Sequence, residues 1–222
     1  MIKIYIFYVM LFVNTFAQNS DKSYEDLKTE ISNKRSELSQ AYLSAGINKD
    51  SVISYTQKFL FNKIVNEIFP FWYNTKWSFN GTTASPRNGS IACGYFVTTV
   101  LKDAGFNIPR VNWARLPSES MILKLNKDVK RFRNRTAAEV EAYISSNEKG
   151  IYIVGLDIHV GFLIKDGTNV MFVHSNYYRP EIGVMKENLA GDNPFADSSY
   201  RVVGKILQME MIEKWLTDYK YE

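Results

Sequence analysis

Three residues of scarce type could do chemistry together in this chain of 222 residues, a single cysteine and two histidines. Cys93 lies in Ser90-Ile91-Ala92-Cys93-Gly94-Tyr95-Phe96, at a loop-to-helix junction. His159 lies in Asp157-Ile158-His159-Val160-Gly161-Phe162 and His174 in Met171-Phe172-Val173-His174-Ser175-Asn176, and both segments read as strands. A thiol needs a base to become a thiolate, and the base needs a partner that fixes its tautomer. The same trio could also bind zinc in an open site, or be structural, with the thiol acting as a small hydrophobe. Metal motifs usually bring two ligands from one short element, and none does so here, so the spacing favours the thiol chemistry and no metal or cofactor.

The elements around these residues decide whether they can meet. Cys93, Phe96, Val97, Val100, Leu101 and Ala104 fall on one helical stripe, and Gly105 supplies the stop. Cys93 is then at the helix N-terminus, where unpaired backbone N–H groups and the helix dipole favour a thiolate. Lys165-Asp166-Gly167-Thr168 separates the two histidine strands, and Asp-Gly is a preferred two-residue hairpin turn. Pairing Lys165 with Thr168 carries the register back to His159 directly opposite His174, on one face of the hairpin. His159 would take the proton of Cys93 while His174 holds its other ring nitrogen. The backbone at Cys93 and Gly94 would contribute to an oxyanion hole, with the Trp77 indole or the Asn80 amide as a second donor. Asn176, just beyond His174, could rim the cleft or equally serve packing.

The remaining pattern is helices first and strands later, an α+β chain with an antiparallel sheet. Helical spacing runs from Asp21 to about Ala45 and from a Ser51 cap to Pro70, giving an N-terminal helical hairpin over 18–70. Helices are expected at Ser118–Leu125, at Ala137–Ser146 behind a Thr136/Glu139 capping box, and at Glu210–Lys220. Strands are expected at Ile151–Leu156, His159–Ile164, Val170–His174 and Tyr200–Leu207. Residues 71–222 form the domain that carries the trio.

Composition is that of a globular protein, 45% hydrophobic and 23% charged with a formal charge of +4. That mild excess, without a nucleic-acid-binding motif, excludes nucleic acid as the expected partner. The basic run from Lys127 to Arg135 reads as a solvated face that could touch an anionic polymer. Residues 1–17 read as a secretory signal: Lys3, an apolar stretch from Ile4 to Val13, and Thr15-Phe16-Ala17 before Gln18. The apolar stretch falls short of the ~20 residues a spanning helix needs, so no stable membrane insertion is expected after cleavage. An exported chain with a single cysteine has no internal disulfide, and its thiol is free.

Cys93-Gly94-Tyr95-Phe96-Val97, with its helix ending in Asp103-Ala104-Gly105-Phe106-Asn107-Ile108-Pro109-Arg110, resembles the nucleophile helix of the NlpC-type cysteine peptidases. His159-Val160-Gly161-Phe162-Leu163-Ile164 resembles their base strand and Phe172-Val173-His174-Ser175-Asn176 their third-residue strand. Upstream, Trp77-Ser78-Phe79-Asn80-Gly81 is similar to the aromatic, glycine-ended segment that precedes their cysteine. The resemblance spans about 71–176. It implies a papain-like core, with Cys93 as nucleophile, His159 as base and His174 as the polar third residue, acting on amide bonds of peptidoglycan stem peptides. The chain departs from the family pattern in Ala92 before the cysteine, where Asp is usual, and Gly94-Tyr95 after it, where Ser-Gly is usual. Acyl transfer to an amine or hydroxyl, and a silent wall-binding module, are the alternatives on the same scaffold.

Overall fold

The computed structural model describes residues 22–222. The signal segment expected at 1–17, and the first residues of the helical region, lie outside the described residues. Among the described residues no helix is long and apolar enough to cross a membrane.

The chain runs α1 (Tyr24–Ser44), α2 (Lys49–Lys63), α3 (Phe69–Trp72), α4 (Cys93–Asp103), α5 (Arg110–Ala114), α6 (Ser118–Leu125), β1 (Val129–Arg133), α7 (Ala137–Ser146), β2 (Gly150–Leu156), β3 (Val160–Asp166), β4 (Asn169–Ser175), β5 (Val184–Asn188), α8 (Pro194–Asp197), β6 (Tyr200–Lys205) and α9 (Met209–Leu216). It is an α+β fold in which helices precede a six-stranded sheet of order β1-β6-β2-β3-β4-β5, with every neighbouring pair antiparallel. Strands β2 and β3 are buried along almost their whole length, because helices cover one face and α7, Phe195 and Leu189 the other. That double cover explains why they read as continuous apolar runs rather than as alternating ones.

The N-terminal helices share the main core. Leu27 and Ile31 of α1 and Leu60 of α2 are buried in the same cluster as Phe96, Val97 and Trp215. Polar contacts fix the packing: the Tyr24 hydroxyl donates to Asp103 at 2.7 Å and accepts from the Trp72 indole at 2.7 Å, while Arg35 Nε donates to the Trp215 carbonyl at 2.9 Å. Two expectations for this hairpin are corrected. The second helix starts at Lys49 after a 3-10 turn over Gly46–Asn48, with no side-chain cap, rather than at a Ser51 cap. Pro70 does not end it. The helix widens into a π-turn over Ile64–Ile68 and resumes as α3, with proline in the first turn, where no intrahelical N–H is required.

The hairpin register also differs from expectation. The turn is Gly167-Thr168, with Asp166 paired to Asn169 and Phe162 to Val173. Gly167 has φ +65°, as the first central residue of a type II′ turn requires, whereas an Asp-Gly type I′ turn would need Asp166 in that region too. Continuing the observed register puts His174 beside Gly161, not His159. His159 itself lies in the turn just before β3. It is two residues from Gly161, so the face is preserved although the direct opposition is not.

Candidate active site

Cys93 is the first residue of α4, and Ala92 occupies the N-cap without a side chain able to accept a hydrogen bond. The first helical bond runs from the Phe96 N–H to the Ala92 carbonyl at 2.8 Å, so the preceding amides of Cys93, Gly94 and Tyr95 are not spent within the helix. The segment leading into the helix is clamped from both sides. The Ile91 N–H donates to Lys76 at 2.9 Å, the Ala92 N–H to Gly81 at 2.9 Å, and the Ser175 hydroxyl to the Ile91 carbonyl at 2.6 Å. Gly81 permits the second of these approaches, since a Cβ there would lie 2.6 Å from Ile91 N. Gly94 permits another: a Cβ would lie 2.2 Å from the Ala114 carbonyl oxygen, so its missing side chain lets α5 dock against the start of α4.

The two histidines meet. His159 Nε2 and His174 Nδ1 are 2.9 Å apart, with the rings at 87°. Phe172 stacks on His174 at 4.0 Å between centroids, and both imidazoles are buried. The chain of contacts goes one residue further than the sequence indicated. His174 Nε2 lies 2.7 Å from Glu187 Oε1, and Arg179 stands 3.7 Å from the other carboxylate oxygen. Asn176 belongs to this support rather than to the rim. Its side chain is buried, its amide donates to Glu187 at 3.3 Å, and its oxygen accepts from the Tyr178 and Arg179 amides.

Glu187 settles which nitrogen is basic. An ionised carboxylate only accepts, so His174 Nε2 carries a hydrogen and donates to it. His174 Nδ1 then accepts, His159 Nε2 donates to it, and His159 Nδ1 is left with a bare lone pair. That atom is buried and has no hydrogen-bond partner. Burial, with His174 beside it, holds His159 well below the ordinary histidine range. Burial and the Arg179 charge hold His174 down to about 3. Burial also raises the Glu187 carboxyl, and Arg179 counteracts it.

The thiol does not have the depressed pKa expected from its helix position. Burial pushes Cys93 up, and the N–H groups of Val160, Gly94 and Cys93 itself only partly offset that. The resting pair is therefore a neutral thiol beside a neutral imidazole. The Val160 amide, next in the chain to His159, acts directly on the sulfur, so the start of β3 lies against Cys93.

Cys93 and His159 line one cavity of about 810 Å³ together with Trp77, Asn80 and Gly94. Its other walls include Phe79, Ala114, Arg115, Ile158 and Tyr177. The Trp77 indole N–H is buried without a partner, and its ring packs near Tyr177, which in turn meets His159 edge-on at 5.2 Å between centroids. Asn80 is exposed at the wall. Of the residues singled out from sequence, Cys93, Gly94, His159, Trp77 and Asn80 converge on the cavity, while His174 and Asn176 stand behind it. Among the described residues, no group of three or more His, Cys, Asp or Glu is arranged to hold a metal ion.

A slightly larger cavity of about 880 Å³ lies between α1 and α2, lined by Glu30, Lys63 and Glu67 among others, but it holds ion pairs rather than nucleophilic groups. The chain matches no protein-family profile, no curated protein and no solved structure at a significant level.

Proposed function

We propose that this chain is an exported, papain-like cysteine hydrolase of NlpC type that cleaves amide bonds, with peptidoglycan stem peptides as its substrate class. One observation carries the reading: an unpartnered, buried His159 Nδ1 shares a cavity with the only thiol, while its other nitrogen is tied through His174 to Glu187. The order of Cys93, His159 and His174 along the chain and their placement on helix and strands support the resemblance to that family.

In this mechanism the Cys93 thiol gives its proton to His159 Nδ1 as the sulfur attacks the substrate carbonyl. The imidazolium so formed is stabilised through His174 by the Glu187 carboxylate, a pairing worth more in a water-poor site than in solvent. The developing oxyanion is met by the amides at the start of α4 that the helix does not use, with the unpartnered Trp77 N–H as a further donor. His159 then protonates the leaving amine, and a thioester remains on Cys93. Water, deprotonated by His159, attacks the thioester and releases the acid. No metal or cofactor takes part in these steps.

A second reading has its own support. The cavity walls Trp77, Phe79, Ile158 and Tyr177 are largely apolar, and Phe79 and Ile158 are exposed. Such walls would shield a thioester from water and favour transfer to an amine. Purified peptidoglycan incubated with the mature protein, with and without added amine, separates the two by the masses of the released fragments. Free stem-peptide acids that vanish with Cys93→Ala support hydrolysis, amine adducts support transfer, and unchanged peptidoglycan in both arms contradicts the proposed substrate.

A further inference from the structure

We propose that Arg115 is the anion-recognition residue of this cleft, and that the substrate carries a carboxylate close to its scissile carbonyl. The inference rests on the thiol-hydrolase reading and adds to it the charge of the substrate.

Arg115 is the single charged side chain among the residues lining the cavity, since His159 is neutral and no Asp or Glu contributes to the walls. It is also the exception among the arginines. Arg35 bonds the Trp215 carbonyl and Asp218, Arg87 the Tyr73 and Pro70 carbonyls, and Arg110 the Thr82 and Thr83 carbonyls. Arg131 and Arg135 pair with Glu119 and Glu139, and Arg179 with Glu187. Arg133 lies over the Tyr200 ring, and Arg201 is buried against the Phe195 carbonyl. Among the described residues, the Arg115 guanidinium has no ion pair, hydrogen bond or aromatic partner.

Its position is built rather than incidental. Arg115 is the C-cap of α5, and the preceding Ala114 carbonyl seats in the space left by Gly94, the residue after the nucleophile. That contact fixes the backbone leading into Arg115 against the start of α4, and Arg115 and Cys93 line the same cavity. A planar guanidinium recognises a carboxylate through two parallel hydrogen bonds, and apolar walls leave it without competition from other protein groups. With no acid to balance it, the cleft favours an anionic ligand over a cationic one.

The test uses the intact mature protein and thiol-alkylating probes that differ only in charge. Rates of Cys93 modification are compared for iodoacetate against iodoacetamide. N-chloroacetylglycine is compared with its amide for an α-carboxylate, and N-chloroacetylglutamic acid α-amide with N-chloroacetylglutamine α-amide for a side-chain carboxylate. The carboxylate-to-amide rate ratio should exceed that of free cysteine and should fall as salt screens the exposed guanidinium. Arg115→Gln should lower that ratio at least about tenfold, the size of one good charged contact, with Arg115→Lys in between. The pair with the larger ratio names the carboxylate's place in the substrate. Equal ratios in wild type, Arg115→Gln and free cysteine overturn the proposal. If the thiol is inert to every probe, the nucleophile reading fails separately. Arg115 is then judged by its Nε–H NMR resonance on titration with N-acetylglycine against N-acetylglycinamide. A shift with the carboxylate alone supports it, and no difference overturns it.

Discussion

Glu187→Gln isolates the part of the site that fixes the proton positions. A carboxylate accepts only, so it allows one tautomer chain, with hydrogens on His174 Nε2 and His159 Nε2 and a bare His159 Nδ1. A glutamine amide can donate as well as accept, and its donating orientation reverses the chain, leaving hydrogen on His159 Nδ1 and no base for Cys93. A hydrogen bond to a charged group is worth about 1.5–3 kcal/mol. At about 1.4 kcal/mol per factor of ten, losing that bias lowers the population of the competent tautomer, and stabilisation of the imidazolium, by about tenfold to a hundredfold. The assay is the rate of Cys93 alkylation by iodoacetamide against pH, with 15N NMR of the histidines in parallel. In wild type His159 Nδ1 should give an unprotonated nitrogen signal. The acid limb of the rate profile should lie above the ordinary glutamate range, because burial raises Glu187 and its protonation reverses the same chain. Glu187→Gln should lose that limb and shift His159 Nδ1 toward the protonated signal. A variant with wild-type rate, limb and nitrogen signal would refute the relay and leave Glu187 a packing residue.

Other outcomes follow from the same geometry. His159→Ala should slow turnover by about 100- to 10,000-fold, the usual range for a general base, whereas His174→Asn, whose amide oxygen can still accept from the His159 ring, should lose far less; steady-state kinetics on folded variants check the order. Gly94→Ser, which restores the residue usual in the resembled family, should lower the denaturation midpoint and cost about 1–3 kcal/mol, because its Cβ would lie 2.2 Å from the Ala114 carbonyl. Stability should fall as pH drops below the unfolded-state histidine value of about 6.5, since the unfolded chain takes up protons that the two buried imidazoles refuse. The slope is about 1.4 kcal/mol per pH unit for each histidine still neutral in the native state, offset at lower pH by the raised Glu187 carboxyl, and is read from urea melts between neutral and mildly acid pH.

Much of this arrangement is visible in the sequence where a local rule governs it. The stripe ending in Gly105 gives α4 and the place of Cys93 at its start, and the Thr136/Glu139 capping box gives α7, because both depend on neighbouring residues alone. The histidine pairing is visible only in its parity. Asp166-Gly167 pointed to one turn, and the chain uses Gly167-Thr168 instead, yet a shift of whole residue pairs keeps both rings on one face. Glu187 is invisible from sequence because β5 is an edge strand whose Val-Met-Lys-Glu-Asn sequence has no apolar alternation to mark it, and because its contact with His174 depends on the β4–β5 register. The other edge, β1, hides for the same reason inside a basic run, with only Phe132 of its central residues buried. The raised thiol pKa follows from burial, which composition around Cys93 does not reveal.

The central claim is that Cys93 and His159 act as one nucleophile–base unit. Its most direct test is the second-order rate of Cys93 alkylation by iodoacetamide near pH 7 in wild type and His159→Ala, with the site of labelling confirmed by mass. The expected wild-type rate is at least about a hundredfold above that of the variant, since the thiol rests protonated and only His159 is placed to take its proton as the sulfur attacks. Equal rates in the two proteins, both rising only as pH approaches that of an ordinary thiol, would contradict it.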